Sequence, residues 1–393
     1  MNHPTQPITR PRAAAGDRPP VVLQVLPALV TGGAERGTVD VAAAIVAAGW
    51  TSLVVSTGGP MVGEVERAGG EHIVMPLDTK NPIGIHANAG RLAGLIYDRG
   101  VDIVHARSRA PAWSAFLAAK RMGCHFVTTY HGTYNAQNAF KRWYNSVMAR
   151  GERVIAISEF IAEHVRARYD VGDDRLVTIP RGIDLAVFDP TRVSAERIIA
   201  LANAWRLPDG MPVIMLPGRL TRWKGQTVLI EALAALGRTD VRCLLVGSDQ
   251  GRTGYREKLQ HLIAQRGLDR IVHIVDLCRD MPAAYMLADV VVSASTDPEA
   301  FGRVAAEAQA MGRPVVATDH GGARETVIPG ETGWLVPARD PAALSTAIAE
   351  ALAIPPETRD RLGAASRAHV AKSFTVERMC ASTLAVYRSV LGR

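Results

Sequence analysis

Short apolar segments alternate with amphipathic segments along almost the whole chain, and this alternation narrows the choice of fold more than any other feature. The apolar runs are bounded by glycine or polar residues, as in strands that are buried on both faces. The predicted strands are Val21–Leu26, Ser52–Ser56, His72–Met75, Ile103–His105, Phe126–Tyr130 and Val154–Ser158 in a first series, and Val213–Pro217, Val241–Val246, Ile271–Val275, Val290–Ala294, Val315–Thr318 and Gly333–Val336 in a second. Strands joined through helices form parallel sheets, so the pattern predicts an α/β protein.

The alternation is interrupted once, near residues 185–210, which predicts two doubly wound Rossmann-like domains facing an interdomain cleft. A length of 393 residues fits this division, because single cores stop growing at roughly 250–300 residues. The expected parts are a disordered tail over residues 1–19, an N-terminal domain over 20–190, a linker region over 191–211, a C-terminal domain over 212–375 and a separate amphipathic helix over 376–393.

Charge and cysteine content exclude several function classes. The chain has 45 Lys and Arg against 38 Asp and Glu, a net charge of +7, and the basic residues are scattered. This mild excess suits anionic small molecules or an anionic membrane surface and disfavours nucleic acid. The four cysteines lie far apart in the sequence and form no CxxC pair. The chain also has no DxD motif and no His/Asp/Glu cluster with metal-ligand spacing, so we expect neither a metal nor a cofactor. Without a signal peptide or membrane span, we expect a cytoplasmic protein with at most peripheral membrane contact.

The strongest motif is Glu299-Ala-Phe301-Gly302-Arg303-Val304-Ala-Ala-Glu307, which follows the strand Val290–Ala294. Gly302 opens a helix whose first backbone N–H groups suit a diphosphate. Each glutamate can accept two hydrogen bonds from a sugar diol. Eight helical residues span about 12 Å, a plausible distance between the two sugars of a nucleotide-sugar. The alternative is that both glutamates merely cap and solvate a helix.

A second motif, GRLTRWKG, places Arg219 and Lys224 around the end of the strand Val213–Pro217. A nucleoside diphosphate gains negative charge as it departs, and two fixed cations would stabilise it without a metal. The alternative is a solvated basic loop.

The first half carries weaker signals at the ends of its strands. Gly33, in Thr-Gly-Gly-Ala-Glu-Arg, could bring backbone to a diphosphate or an acceptor. His131 could bond a sugar hydroxyl or be a structural histidine. Arg107 and Arg109 could meet an anionic acceptor or lie in solvent.

The segment Phe140-Lys-Arg-Trp-Tyr144 mixes aromatic residues with cations. This composition suits a lipid headgroup surface. The alternative, a partly exposed helix packed by Trp143, remains open.

Together these motifs resemble the family 4 retaining glycosyltransferases, which have the GT-B fold. The resemblance runs from about Val21 to the end and rests on G-R-L-x-x-x-K-G, E-A-F-G-x-x-x-x-E-A and G-x-P-V-V-A-T-x-x-G-G-x-x-E, with T-G-G-A-E-R and His131-Gly132 in the first half. It implies an N-terminal acceptor domain, a C-terminal donor domain and a last helix that packs back on the first domain. One departure is Arg181, where the family commonly has asparagine, so a ligand role for Arg181 is undecided.

The resemblance also implies residue roles. Arg219 and Lys224 would bind the donor phosphates, Glu307 the ribose, Glu299 and His131 the transferred sugar, Phe301, Gly302, Arg303 and Val304 would offer backbone to sugar and phosphate, and Gly33 would approach the diphosphate. His131, Glu299, Arg219 and Lys224 are the expected catalytic residues.

The implied reaction is metal-independent transfer, with retention, from a UDP- or GDP-linked sugar to a lipid-linked or saccharide acceptor. We expect a role in lipopolysaccharide or other surface-polysaccharide synthesis at the cytoplasmic face of the inner membrane. Two alternatives stay open: a GT-B nucleotide-sugar epimerase, and a non-catalytic nucleotide-sugar binding module.

Overall fold

The computed structural model describes residues 18–30, 32–134, 138–251 and 253–392. All of the predicted tail except Arg18 and Pro19 lies outside these residues; Arg18 donates hydrogen bonds of 2.8 and 2.9 Å to the carboxylate of Asp102. The chain divides into two compact units. The first comprises the described residues up to Arg181 together with those from Glu377 onward, and the second runs from Gly182 to Val376.

Strands and helices alternate through both units. The strands are β1 Val21–Val25, β2 Thr51–Ser56, β3 Glu71–Val74, β4 Ile103–Ala106, β5 His125–Tyr130, β6 Arg153–Ala156, β7 Leu176–Thr178, β8 Val213–Pro217, β9 Arg242–Val246, β10 Val272–Val275, β11 Val290–Ser293, β12 Val315–Thr318 and β13 Trp334–Val336. The helices are α1 Gly33–Ala47, α2 Val62–Arg67, α3 Pro82–Arg99, α4 Arg109–Met122, α5 Ala139–Asn145, α6 Glu159–Tyr169, α7 Ala195–Ala204, α8 Gln226–Leu236, α9 Thr253–Gln265, α10 Met281–Leu287, α11 Arg303–Ala310, α12 Ala323–Thr326, α13 Pro341–Ala353, α14 Pro356–Ser373 and α15 Val376–Leu391.

Each unit contains one parallel sheet. The first sheet has the order β3-β2-β1-β4-β5-β6-β7 and the second the order β10-β9-β8-β11-β12-β13. The central strands are fully buried, for example Leu23 in β1 and Val292 in β11, because helices cover the sheets. The predicted α/β class with two doubly wound sheets is confirmed.

Side chains cap the first backbone N–H groups of several helices. Ser158 accepts a bond from the backbone N–H of Ile161, at 3.1 Å, and starts α6. Asp340 does the same for Ala343, at 3.0 Å, ahead of Pro341 at the start of α13. Each such cap stabilises its helix by about 1 kcal/mol.

Helix α15 belongs, from Glu377 onward, to the first unit. Its Tyr387 is fully buried, and the Tyr387 hydroxyl lies 2.6 Å from Nδ1 of His105. Nε2 of the same histidine lies 2.7 Å from the hydroxyl of Thr129. The C-terminal helix is therefore hydrogen-bonded to β4, which in turn contacts β5.

The predictions did not include β7, α2, α10, α12 and α14, and the segment given as a linker region contains the helix α7. Strand β7 has 3 residues, and α2 and α10 have 6 and 7, too few to show a period. Helix α14 buries only Gly363, Ser366 and Val370, so it lacks an apolar stripe. Segment 191–211 contains α7, which lies in the second unit, where Arg197 pairs with Asp280 at 2.6 Å. No described helix is long and apolar enough to cross a membrane.

Candidate active site

In the second sheet the strand order reverses at β8 and β11. Strand β8 is followed in sequence by β9 on one side, whereas β11 continues to β12 on the other. The loops that leave the carboxyl ends of these neighbouring strands diverge, which is where open α/β sheets bind ligands. Arg219 and Lys224 follow β8, and Glu299 follows β11.

Lys224 and Glu299 form an ion pair across this point, with Nζ 2.7 Å from Oε1. The hydroxyls of Ser295 and Ser293 donate to the same Oε1, at 2.5 and 3.5 Å. Burial alone would raise the pKa of Glu299, but the charge of Lys224 and these hydrogen bonds together lower it. Within the described residues, the hydrogen bonds found to the Glu299 carboxylate all reach Oε1, which leaves Oε2 for a ligand hydroxyl.

The two predicted cations of the second unit are placed differently. The Lys224 ammonium lies 4.5 Å from the centre of the Trp223 ring. Arg219 is exposed at the end of β8, and its backbone carbonyl accepts a bond from Gln226 at 2.9 Å. Lys224 is thus fixed beside Glu299, whereas the Arg219 side chain is exposed.

Glu307 is held on α11 by two donors. The Tyr285 hydroxyl donates to Oε2 at 2.8 Å, and Nε of Arg303 donates to Oε1 at 2.5 Å. Burial, followed by the charge of Glu307 and their hydrogen bond, raises the pKa of Tyr285 well above its usual value, so Tyr285 remains a donor. Sequence reasoning missed Tyr285 because it lies in the short α10 and belongs to no motif.

The loop after β12 supports the glutamate motif. Gly322 donates from its backbone N–H to the Glu299 carbonyl at 2.8 Å. A Cβ on Gly322 would lie 2.5 Å from the Phe301 Cα, so only glycine permits this approach. Phe301 is buried edge-to-face on Phe374, at 5.4 Å between ring centres. These contacts hold the backbone that leads into α11. Gly302 lies directly before the helix, and Arg303 and Val304 lie in its first turn.

In the first unit, residues from four loops at the carboxyl ends of β1, β4, β5 and β7 come together around the start of α1. Gly33 opens α1. Arg107 and Arg181 are both buried, and the Arg181 guanidinium lies beside Gly33. Neither ring nitrogen of His131 has a hydrogen-bond partner within the described residues, and both are buried. Burial, and then the charges of Arg181 and Arg107, lower the pKa of His131 well below its usual value, so the ring is neutral.

Arg109 contacts a different set of residues from Arg107. It donates to the Asn145 side chain at 3.0 Å, and its guanidinium lies 4.1 Å from the centre of the Tyr134 ring. Arg107 and Arg109, which were both predicted to meet an acceptor, therefore contact different residues. Within the described residues, no three His, Cys, Asp or Glu side chains are grouped so as to hold a metal ion. The roles predicted for Gly33 and His131 toward a donor stay predictions.

Comparison with known proteins identifies the family. The model for glycosyl transferases group 1 matches residues 199–369, and the model for glycosyltransferase family 4 matches residues 31–187. A D-inositol 3-phosphate glycosyltransferase from Xylanimonas cellulosilytica is 33% identical over 307 residues, which are 74% of this chain and 73% of that protein.

Solved structures agree with this assignment. A glycosyltransferase from Rickettsia africae ESF-5 superposes with a TM-score of 0.89 at 38% identity, over 95% of this chain and 99% of that one. Anabaena Alr3699/HepE, solved in complex with UDP and glucose, superposes with a TM-score of 0.82 at 23% identity, over 94% and 99% of the two chains, and shows a common fold. The resemblance found in the sequence is confirmed: the chain has the GT-B fold and belongs to the family 4, group 1 glycosyltransferases.

Proposed function

We propose that this glycosyltransferase moves a sugar from a UDP- or GDP-linked donor to an acceptor hydroxyl, with retention of configuration and without an essential metal. The observation that carries the proposal is the Lys224–Glu299 pair, 2.7 Å apart, next to the sequence that opens α11. A fixed ammonium and the free N–H groups of a helix start both stabilise the charge that develops on a departing diphosphate. The UDP and glucose named for the Anabaena protein support a donor of this class.

Glu299 is suited to binding the sugar rather than to attacking it. Its carboxylate is neutralised by Lys224 and accepts two serine hydroxyls, so it is a weak nucleophile and a weak base. In the proposed reaction the acceptor oxygen bonds to the anomeric carbon on the face that the diphosphate leaves. The acceptor proton passes to the departing phosphate oxygen.

The acceptor that we propose is a lipid-linked saccharide, used in surface-polysaccharide synthesis at the cytoplasmic membrane face. Phe140 and Trp143 on α5 are 71% and 54% exposed, and Lys141 and Arg142 lie between them in sequence. Aromatic rings with cations between them suit an anionic lipid surface. A small phosphorylated polyol is the second candidate, favoured by the inositol 3-phosphate in the name of the Xylanimonas protein.

Donor binding is expected to depend on Glu307. Glu307→Ala should weaken binding of the preferred nucleoside diphosphate by about 1–3 kcal/mol, because charged hydrogen bonds to the ribose are lost. A thermal-shift screen of UDP, GDP and ADP, with and without EDTA, selects the nucleotide, and calorimetry then measures its affinity. Glu257→Ala, an exposed glutamate on α9, is the matched control. Equal affinity for both variants would remove Glu307 from the ribose role.

Membrane contact is expected to depend on Phe140. Phe140→Ser should weaken cosedimentation with phosphatidylglycerol vesicles about tenfold, since burying a large apolar side chain is worth roughly 1.5–3 kcal/mol. Ile83→Ser removes a comparable exposed side chain (80% exposed) from α3 and should bind like the unmodified protein. Absence of vesicle binding by the unmodified protein would favour the small phosphorylated acceptor.

A further inference from the structure

A cavity of about 650 Å³ at the amino edge of the first sheet is lined by three arginines. Arg150 lies in the loop before β6, Arg153 is the first residue of β6, and Arg175 directly precedes β7. Phe116 of α4 supplies an aromatic part of the lining. Because His131 follows β5 at the carboxyl edge of the same sheet, the cavity lies away from the candidate active site.

The backbone around Arg150 is fixed by its neighbours. Nη2 of Arg175 donates to the carbonyl oxygens of Ala149 and Gly151, at 2.6 and 2.8 Å, and ties the loop to the start of β7. A Cβ on Gly151 would lie 2.5 Å from the carbonyl oxygen of Arg153, so only glycine permits this path of the chain. A lining that is held in place before a ligand arrives lowers the ordering cost of binding.

The guanidinium groups of Arg150 and Arg153 have no anionic partner among the residues that the structure describes. Arg150 lies over the rings of Trp113 and Phe116, 5.0 and 5.4 Å from their centres. Nη1 of Arg153 donates to the backbone carbonyl of the adjacent Glu152, at 3.2 Å. An arginine carries five N–H donors, so most of the donors of these two side chains remain for a ligand.

Glu152 is the acidic residue among the described residues that line the cavity, and it does not pair with the arginines. Its Oε2 lies 2.8 Å from Nδ1 of His125, and its Oε1 accepts a bond from the backbone N–H of Phe126 at 3.3 Å. Both carboxylate oxygens are thus bound to the start of β5. The lining therefore keeps three positive charges against one negative charge, which favours an anion with several oxygens.

We propose that the cavity formed by Arg150, Arg153 and Arg175 binds the phosphate of a phosphate-bearing ligand, whose remaining part packs on Phe116. Guanidinium forks match phosphate oxygens in charge and in hydrogen-bond geometry. Small-molecule sites measure roughly 300–1,000 Å³, so a cavity of about 650 Å³ has room for more than the phosphate. The inference goes beyond the proposed function, because the cavity lies outside the candidate active site.

A phosphate of this kind comes from a lipid headgroup or from a soluble phosphate ester. The aromatic contacts of Arg150 favour the lipid. Trp113, over which Arg150 lies, stacks on Trp143 of α5 with 4.8 Å between ring centres. Trp143 is 54% exposed and Phe140, also on α5, is 71% exposed. The cavity therefore continues into an exposed aromatic face, as a site at a membrane surface requires.

Two binding assays on the full chain test the site. Calorimetric titration with glycerol 3-phosphate, with saturating UDP or GDP present to occupy the candidate active site, measures a soluble ester, and cosedimentation with phosphatidylglycerol vesicles measures the lipid. Arg150→Gln and Arg153→Gln should each weaken binding about tenfold in at least one assay, as expected for lost charge-assisted bonds. Arg67→Gln, which replaces an exposed arginine at the end of α2, is the matched control and should bind like the unmodified protein. Arg150→Lys and Arg153→Lys keep the charge without the fork and should give intermediate losses; they replace the glutamine variants if those unfold in a thermal melt.

The pattern of losses distinguishes the two sources. Weaker vesicle binding by the glutamine variants assigns the site to a lipid headgroup, which is the result we expect. Weaker binding of glycerol 3-phosphate with unchanged vesicle binding assigns it to a soluble phosphate ester. Affinities in both assays that are the same in the glutamine variants as in Arg67→Gln would overturn the site. Nucleotide affinity should be equal in all of these variants, so a failure of this inference would leave the proposed function standing.

Discussion

Replacing Lys224 by methionine is expected to lower turnover by roughly 10²-fold or more, as for the loss of a charged partner of the leaving group. Methionine keeps most of the apolar stem, which lies 3.5 Å from a Cβ placed on Gly218, and removes the ammonium with its charge and its hydrogen bond to Glu299. Turnover is measured as release of nucleoside diphosphate from the nucleotide-sugar. Arg222→Met removes an exposed cation from the same turn and should leave turnover unchanged.

The role of Lys224 toward the phosphate must be separated from its role toward Glu299. If Lys224 only positions Glu299, Glu299→Gln should cost as much as Lys224→Met, and the double variant should be no worse than either. A double variant much slower than Glu299→Gln supports direct contact with the leaving group. Near-normal turnover of Lys224→Met would contradict the assignment.

Replacing Gly225 by alanine is expected to destabilise the second unit by about 3 kcal/mol or more. Gly225 precedes α8 with a φ of 74°, and a Cβ there would lie 1.8 Å from the carbonyl oxygen of Ala294. Because that oxygen belongs to backbone at the end of β11, the collision can be relieved only by moving the strand end or the loop that carries Lys224.

Gly237 provides the matched control at the other end of the same helix. It has a φ of 66°, and a Cβ there would have no neighbour within 4 Å. Gly237→Ala should therefore cost only the left-handed strain, about 1–2 kcal/mol. Unfolding in denaturant measures the free energy of unfolding of both variants. Equal losses in the two variants would show that the close approach of Gly225 to Ala294 adds nothing to the cost of the substitution.

Local patterning was sufficient to predict every strand of the two sheets except β7. The predicted bounds of Val213–Pro217 and Val315–Thr318 agree residue for residue with β8 and β12. A buried parallel strand is a short apolar run, and this pattern is visible without knowing its neighbours. Helix α14 buries few residues and strand β7 has only 3 residues, so neither produces a recognisable apolar pattern in the sequence.

The sequence by itself determined the fold class, the family and the loops that carry the candidate site, because apolar periodicity and contiguous motifs are properties of neighbouring residues. Only the tertiary structure decided which side chains meet. Glu299 meets Lys224 from 75 positions away, Tyr285 reaches Glu307 from another helix, and Arg181 joins Arg107 beside α1. These contacts depend on strand order and on which loop ends lie side by side at a sheet edge, and no local pattern in the chain records that order.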